Sequence, residues 1–376
     1  SVDGRSLRVE LDVDRAVPPV YFEALTANLT RNWAPLTGII ADGWKFIDLP
    51  IPELYDLAAD PGETTNLFER ETARARRMAA ALVPLRTRDA LEPARVPMTD
   101  EVEARLRSLG YTVGRAGRPS PDRAYTEADD PKTQLDVHLA WREVLKRLAT
   151  VLIGPGGHEG GLDILDAQIQ QYPRFAPAYT SAATLLIDLG RPAEAVEILD
   201  AATALGLDND AIRERLSLAL LHAGEPARAA GILEALVTGE APWADDLNRL
   251  GGAYAALGRS DAARTQFQRA LDIEATAEIW KNLGVIEVQD GNIAEGVLAF
   301  EEATRADSGY APAWRLLGAA RRPTDIAGAI AAWRQAVNLT PTDVDAVLDL
   351  TALIAESSSP QDARPYLERY LLTARA

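Results

Sequence analysis

Four glycines recur at a nearly constant interval in the second half of the chain. Gly190, Gly224 and Gly258 are 34 residues apart, and Gly291 follows after 33. Each lies in a short polar turn between two segments whose apolar residues recur at i, i+3, i+4 and i+7, the spacing of an amphipathic helix. A repeat of this length predicts stacked helical hairpins, because a single hairpin cannot bury its apolar face alone.

Other residue types recur in register with these glycines. A small residue follows each glycine after five positions and a large apolar residue after nine: Ala195, Ala229, Ala263 and Gly296, then Leu199, Leu233, Phe267 and Phe300. Small residues let paired helices approach closely, and glycine can end the first helix in a left-handed conformation. This pattern resembles that of tetratricopeptide (TPR) repeats.

The resemblance divides the second part of the chain into repeat units. Four regular units are predicted at 176–209, 210–243, 244–276 and 277–310, a fifth with a shortened turn at 311–343, and a capping sixth at 344–376 with Val347, Leu350, Ala363 and Leu367. Residues 133–175 are predicted to form an irregular first unit, with helices at about 134–152 and 160–171 and with His158 in a flexible turn between them. The aromatic side chains predicted to pack helix on helix are Trp280, Trp314, Trp333, Tyr254, Phe267 and Phe300.

The first third of the chain has the pattern of a small sheet. Residues 18–24 and 35–41 predict strands, and Asp42-Gly43 between GIIA and WKFIDL predicts a two-residue type I′ hairpin. ELYDL (53–57) predicts a further strand, in which Tyr55 and Leu57 pack under the hairpin, and strand alternation places Lys45 on the solvated face. After a turn at 60–63, a helix is expected over roughly 67–87, with Thr65 or Asn66 as its cap and with Met78, Leu82 and Leu85 on its apolar face.

Four segments of this region occur in a characteristic series. They are GRSL (4–7), PVYFEA (19–24), NWAPLTGIIADGWKFIDLP (32–50) and ELYDLAADPGETTNL (53–67), and a short helix ending in SLGY (108–111) follows. The series resembles the carboxyl-terminal subdomain of sulfatases, in the bacterial branch that is fused to TPR repeats. The predicted fold is therefore an α+β subdomain, a small antiparallel sheet with a helix, at 1–95. A short helix and linker follow at 96–132, and then an all-α TPR solenoid of six to seven hairpins at 133–376.

The resemblance implies a parent enzyme that hydrolyses sulfuric esters. Its catalytic subdomain would precede residue 4 and would carry a formylglycine and a divalent metal such as calcium. The sequence contains no cysteine, and its three histidines are far apart along the repeats. We therefore expect the chain by itself to be non-catalytic, with the missing sulfatase domain as one partner and with no cofactor of its own. The alternative is a stand-alone TPR scaffold that binds peptides and retains a vestigial sulfatase tail.

Two sets of residues are candidates for binding. The resemblance implies that the segment after the first strand lines the substrate cleft of the full enzyme, through Glu23, Asn28, Arg31, Asn32 and Trp33. The alternative for these residues is a surface loop anchored by one buried tryptophan. In TPR arrays the first helices line a groove, and here they supply Asn248, Arg249, Lys281, Asn282 and Arg315, which are predicted to hold a peptide or a carboxylate. A solvated face without a ligand is the alternative for this second set.

Charge and hydropathy limit the remaining functional classes. The net charge of -17 repels phosphate backbones, so nucleic acid is not an expected partner. No apolar run approaches the roughly 18–20 residues that span a bilayer, so no membrane span is expected. The sulfatase resemblance favours the bacterial periplasm or cell surface as the location.

Overall fold

The computed structural model describes residues 19–24, 28, 31, 33–86, 125–154, 156–238 and 242–373. The chain divides into two compact units between Ile212 and Arg213. Several predictions lie outside the described residues: the GRSL segment, Asn32, the helix ending in SLGY and most of the linker at 96–132.

The first unit begins with a four-stranded antiparallel meander. Its strands are β1 (Val20–Ala24), β2 (Leu36–Ala41), β3 (Trp44–Asp48) and β4 (Glu53–Asp56), and they pair in chain order. Asp42 and Gly43 have φ angles of 51° and 78°, so the predicted type I′ turn between β2 and β3 is confirmed. The register places Ile39, Phe46 and Leu54 side by side on one face of the sheet.

Helix α1 (Thr72–Arg86) covers this apolar face. Met78 and Leu82 are buried against it and Leu85 is partly buried, as predicted. The helix begins five residues later than expected, because the Asn66 side chain forms its hydrogen bonds outside the helix. Its side-chain oxygen accepts hydrogen bonds from the N–H groups of Leu54 and Phe68, each at 3.0 Å. Asn66 therefore ties the chain to β4 and does not cap the helix.

The turn after β4 changes the environment predicted for Lys45. Asp60 accepts hydrogen bonds from the N–H groups of Thr64 and Thr65, both at 2.8 Å, and closes the turn. Glu63 within this turn lies 2.5 Å from the Lys45 Nζ, which also lies 5.5 Å from the centre of the Phe22 ring. Lys45 is therefore a paired, mostly covered side chain, and the prediction of a solvated lysine was wrong.

Residues 125–134, which we call the strap, pack against the sheet although the sequence predicted a linker there. The Asp130 side chain is 0% exposed and accepts hydrogen bonds from the N–H groups of Ile51 and Lys132, both at 2.9 Å. The Lys132 Nζ donates to the Ile51 carbonyl at 2.6 Å and to the Glu53 carboxylate at 2.9 Å. These contacts hold the strap on the connection between β3 and β4.

The strap also contacts the helices that follow it. The Asp129 carbonyl accepts a hydrogen bond from the Ala34 N–H at 2.8 Å, whereas its carboxylate lies 3.2 Å from Arg174. Arg174 precedes the second helical hairpin and also donates to the Leu205 carbonyl at 3.1 Å. Asp129 therefore links the sheet to the first repeats within the first unit.

The described helices of the first unit after the strap form two hairpins. They are α2 (Leu135–Val151), α3 (Gly157–Gln171), α4 (Ala176–Asp188) and α5 (Pro192–Ala204), and each packs on the next. Helix α3 begins at Gly157 and not near residue 160, because Gly156 takes the left-handed conformation and ends the connection early. His158 consequently lies in the first turn of a helix, so its assignment to a flexible turn was wrong.

The second unit consists of helices throughout the part of it that is described. Helix α6 (Asp210–His222) spans the division between the units, and the others are α7 (Pro226–Leu236), α8 (Ala244–Ala256), α9 (Ser260–Ile273), α10 (Ala277–Gln289), α11 (Ile293–Ala306), α12 (Ala311–Arg321), α13 (Ile326–Leu339), α14 (Val344–Ser357) and α15 (Pro360–Thr373). From α7 onward each helix packs on the next, and α8, α10 and α12 also pack in order as neighbouring first helices. The turn glycines at 224, 258 and 291 have φ angles of 78°, 71° and 87°, as predicted.

The repeat core is built by aromatic residues that pack against glycine. Phe267, Phe300 and Trp333 are buried, as predicted. A Cβ atom added to Gly284 would lie 2.6 Å from the Phe300 ring, so only glycine allows this approach. Corresponding contacts join Gly251 to Phe267 and Gly318 to Trp333.

Four side chains predicted in the core are more exposed than expected. Trp280, Trp314 and Tyr254 are only partly buried, and Leu367 is 39% exposed. Polar atoms keep two of them at the surface, because the Trp314 N–H donates to the Ser308 carbonyl and the Tyr254 hydroxyl donates to Glu234. Leu367 lies on α15, where no further described helix follows to cover it.

Candidate peptide-binding site

A pocket of about 260 Å³ opens on three neighbouring first helices of the second unit. Its lining residues are Leu218, Leu221 and His222 of α6, Asn248, Arg249 and Gly252 of α8, and Glu278 and Asn282 of α10. Residues one helical turn apart share a face, which is why Asn248 and Gly252, like Glu278 and Asn282, meet at the same opening. We call this site the α8 pocket.

Two asparagines join the helices at the wall of the α8 pocket. The Asn282 Nδ2 donates a hydrogen bond to the Asn248 Oδ1 at 2.8 Å. Each amide group has both a donor and an acceptor, so this bond uses one of each and leaves an N–H₂ and a C=O. If both amides are turned over, the remaining groups are again one donor and one acceptor. The pair therefore keeps both a donor and an acceptor at the wall of the pocket.

Gly252 provides the space in the α8 pocket. A Cβ atom added there would meet no heavy atom within 4 Å, whereas at the preceding Gly251 it would lie 2.6 Å from the Phe267 ring. The first glycine of this pair thus serves the packing of helices, and the second leaves an opening. A larger side chain at position 252 would project into free space without displacing the backbone.

The predicted groove residues are only partly brought together. Asn248, Arg249 and Asn282 line the α8 pocket, whereas Lys281 and Arg315 do not. The Arg249 guanidinium lies 3.0 Å from the Asp246 carboxylate, and the Arg315 Nε lies 3.8 Å from Asp343. Two of the three predicted cations therefore already face an acidic side chain. The role of all five residues in binding a peptide stays a prediction.

Sequence reasoning missed five lining residues: Leu218, Leu221, His222, Gly252 and Glu278. The leucines carry no separate signal, because helical periodicity assigns apolar residues to the core by default. Gly252 carries one. It is a second consecutive glycine in a helix, where glycine costs roughly 1 kcal/mol relative to alanine, and it has no packing partner to explain it.

The residues predicted to line a sulfatase cleft lie in the first unit. Asn28 is 3% exposed, and its Nδ2 donates to the Trp33 carbonyl and to the Tyr125 hydroxyl, both at 2.7 Å. Glu23 is exposed on β1 and accepts a hydrogen bond from the Tyr21 hydroxyl at 2.6 Å. Burial and the Glu23 carboxylate together raise the pKa of Tyr21 to about 12. Asn28 thus joins the segment after β1 to the strap, whereas Glu23 faces solvent.

Arg31 and Trp33 contact each other. The guanidinium carbon of Arg31 lies 5.0 Å from the centre of the Trp33 ring, and Trp33 is only 7% exposed. Burial lowers the pKa of the Arg31 guanidinium. Burial also lowers the pKa of His138 on α2, and the positive charges of Arg31 and Arg142 lower it further. In this arrangement Arg31 lies over the Trp33 ring that was predicted to line the substrate cleft. The role of both residues in a cleft stays a prediction.

The acidic side chains and histidines of the described residues do not converge on a metal site. Across the described ranges, no group of three or more His, Asp or Glu side chains is arranged to hold a metal ion. These residues do not fit the calcium centre of a sulfatase. None of the helices described is long and apolar enough to cross a membrane.

Comparison with known protein families identifies the repeats. A family model described as tetratricopeptide repeat matches residues 180–245 and 248–311. The helical hairpins over these residues are therefore TPR-like. The match includes Asn248, Arg249, Gly252, Glu278 and Asn282 of the α8 pocket, and it lies outside the segments that resemble a sulfatase. The comparison with curated proteins finds no match.

Several solved structures are similar to parts of the chain. MamA from Desulfovibrio magneticus shares 21% identity over 44% of this chain and 94% of its own length, with a TM-score of 0.38. YrrB, described as a TPR protein with an unusual peptide-binding site, shares 19% identity over 49% of this chain and 96% of its own, with a TM-score of 0.36. A chain of the APC/C hetero-tetramer Cut9–Hcn1 shares 14% identity over 64% of this chain and 52% of its own length, with a TM-score of 0.47.

Proposed function

We propose that this protein binds an extended peptide segment of a partner protein at the α8 pocket. The observation that supports the proposal is the pair of asparagine amides, Asn248 and Asn282, fixed to each other at 2.8 Å beside an open cavity. Their remaining donor and acceptor match the C=O and N–H of one peptide group. Since TPR repeats are protein-interaction modules, this chemistry agrees with the family of the repeats.

The size of the α8 pocket limits what it can hold. A volume of about 260 Å³ accommodates one large side chain and not a folded domain. A peptide would place a single side chain over Gly252, while its backbone contacts the asparagine pair. The lining is partly apolar, through Leu218 and Leu221, so burial of that side chain adds to the hydrogen bonds.

Gly252→Leu tests the proposal, with Gly231→Leu as the matched control. Both glycines lie within helices, and a Cβ atom at either would meet nothing within 4 Å, but Gly231 on α7 lies outside the pocket. Peptides selected from a display library on the immobilised full chain would be measured by fluorescence anisotropy. We expect Gly252→Leu and Asn282→Ala each to weaken binding at least tenfold, a loss of about 1.4 kcal/mol.

Gly231→Leu should bind the same peptides as tightly as the unsubstituted chain. Circular dichroism would establish that each variant keeps its helices. Selection of no peptide, or equal binding by Gly252→Leu and the unsubstituted chain, would refute the proposal.

We also propose that the sheet of the first unit belongs to a sulfatase-like sulfuric ester hydrolase. The supporting observation is that each described segment of the sequence resemblance forms the expected element: β1, the β2–β3 hairpin, and β4 with its exit turn. The parent enzyme would supply the formylglycine and the divalent metal, and export would place it in the periplasm or at the cell surface. Sequencing upstream of Ser1 tests this, because a parent sulfatase requires an in-frame α/β domain with a Cys/Ser-x-Pro/Ala-x-Arg motif. A stop codon in its place would refute it.

A further inference from the structure

The charges around the α8 pocket differ from those predicted for the groove. Arg249 and Glu278 are the two lining residues with a formal charge at neutral pH, apart from His222. Arg249 is neutralised by Asp246 at 3.0 Å, and the Asp246 side chain is almost fully buried, so this pair stays together. The cationic character expected of the groove is therefore reduced at the pocket.

Glu278 carries the charge that remains. It lies exposed in the first turn of α10, and within the described part of the chain no Lys or Arg lies within ion-pair distance of its carboxylate. Lys281, one helical turn later, does not line the pocket and forms no ion pair with Glu278. An unpaired carboxylate at the rim of a cavity attracts a cation.

The walls of the α8 pocket suit the rest of a basic side chain. Leu218 and Leu221 supply apolar surface, and Gly252 leaves room beside them. Lysine and arginine bury their methylene stems along apolar surface while the charged end stays at a polar rim. The amide oxygen that the asparagine pair leaves without a partner can accept one more hydrogen bond from the same ammonium or guanidinium group.

We propose that the α8 pocket accepts a lysine or arginine side chain of the bound segment. This inference rests on the proposed peptide binding and adds the chemistry of the residue that is bound. The net charge of -17 supports it, since an acidic protein draws a basic segment toward its surface. A carboxylate, one of the two ligands predicted for the groove, would meet Glu278 and be repelled.

Four synthetic peptides labelled with fluorescein test the proposal on the full chain. They are the eight-residue alternating peptides of Lys and Ser, Arg and Ser, Glu and Ser, and Leu and Ser, measured by anisotropy at two salt concentrations. We expect saturable binding of the Lys and Arg peptides only. Glu278→Gln should weaken it at least fivefold, and Gly252→Leu should do the same by filling the pocket.

Glu295→Gln is the control for bulk charge, because Glu295 is an exposed carboxylate in the first turn of α11 and lies outside the pocket. It should change the affinity less than twofold. An equal effect of Glu278→Gln and Glu295→Gln would mean diffuse attraction and would overturn the inference.

The outcomes separate this inference from the proposed function. Suppose that the Glu or Leu peptide binds more tightly than the basic peptides and that Gly252→Leu weakens its binding. The proposal of peptide binding then stands, and the proposal that the bound side chain is basic is wrong. If no peptide, synthetic or selected by display, is sensitive to Gly252→Leu, both fail. Asn282→Ala provides a second variant in case Gly252→Leu does not fold.

Discussion

Replacing Asp130 with alanine should loosen the strap from the sheet. The change removes an acceptor that is 0% exposed and holds two backbone N–H groups, those of Ile51 and Lys132, each at 2.9 Å. A hydrogen bond to a charged group contributes roughly 1.5–3 kcal/mol. The Lys132 N–H can regain water, since this residue is exposed, so most of the loss comes from Ile51. We expect local stability to fall by about 2–3 kcal/mol, the upper part of that range.

Asp130→Asn keeps an oxygen acceptor and loses the charge. The local stability should therefore fall by less, by about 1 kcal/mol, which is the contribution of one neutral hydrogen bond. Asp261→Ala is the matched control. The Asp261 side chain is 102% exposed, and its ion pair with Arg264 lies at the surface. Such pairs contribute roughly 0–1 kcal/mol, and Arg264 keeps Glu287 and Asp290 as partners.

Hydrogen exchange followed by mass spectrometry measures the local effect. A loss of about 2–3 kcal/mol corresponds to exchange roughly 30–150 times faster, because each 1.4 kcal/mol is a factor of ten. Asp130→Ala should show this acceleration in peptides that cover 50–56 and 126–134, and helices α8 to α13 should exchange as before. An acceleration below threefold at Ile51, or one spread equally over both units, would refute the role assigned to Asp130.

Three further outcomes follow from the repeats of the second unit. The hydrogen bonds from Arg264 lower the pKa of Glu287, so its stabilising contribution is complete above its ordinary pKa of about 4.5 and is lost as the pH falls through the lowered value. Urea midpoints should therefore fall more steeply with acidification in the unsubstituted chain than in Glu287→Gln, and parallel profiles would contradict this. Gly284→Ala should destabilise the protein by roughly 1–3 kcal/mol in urea unfolding, because its Cβ would meet the Phe300 ring at 2.6 Å. Gly231→Ala, with no atom within 4 Å, should instead stabilise it by about 0.5–1 kcal/mol, and the opposite order would show that the packing was misjudged.

Features that depend on neighbouring residues in the sequence could be predicted well. The turn at Asp42-Gly43 and the glycines that end first helices both follow from the φ angles that a local turn requires. The burial of Phe267 and Phe300 follows from helical periodicity combined with the repeat length. In each case the residues that determine the structure are close together in the sequence or recur at a fixed spacing.

Features that depend on distant residues could not be predicted. Asn66 reads as a helix cap, but its partner is the N–H of Leu54, twelve positions earlier. The strap has the composition of a linker, and its structure depends on Ile51, which is 79 residues from Asp130. No local pattern reports such a pairing.

The α8 pocket shows both kinds of feature. Asn248 and Asn282 stand out in the sequence because polar residues occupy first-helix positions in a TPR pattern. The contribution of Leu218 could not be separated from that of an ordinary core leucine. The open space above Gly252 depends on which neighbouring side chains do not reach it, and this is determined by the packing of helices that are distant in the sequence.

The strap determines where this chain can be divided and recombined. A graft that joined the repeats to a foreign protein at Pro131 would leave Asp130 behind with the sheet and remove Lys132, which neutralises it. A graft made before Tyr125 would expose to solvent the Asp130 carboxylate, which is fully buried in this protein. Arg174 would keep its contact with Asp129 in such a graft. Exchange of modules by recombination is therefore least disruptive when the sheet, the strap and the first hairpins are inherited as one block.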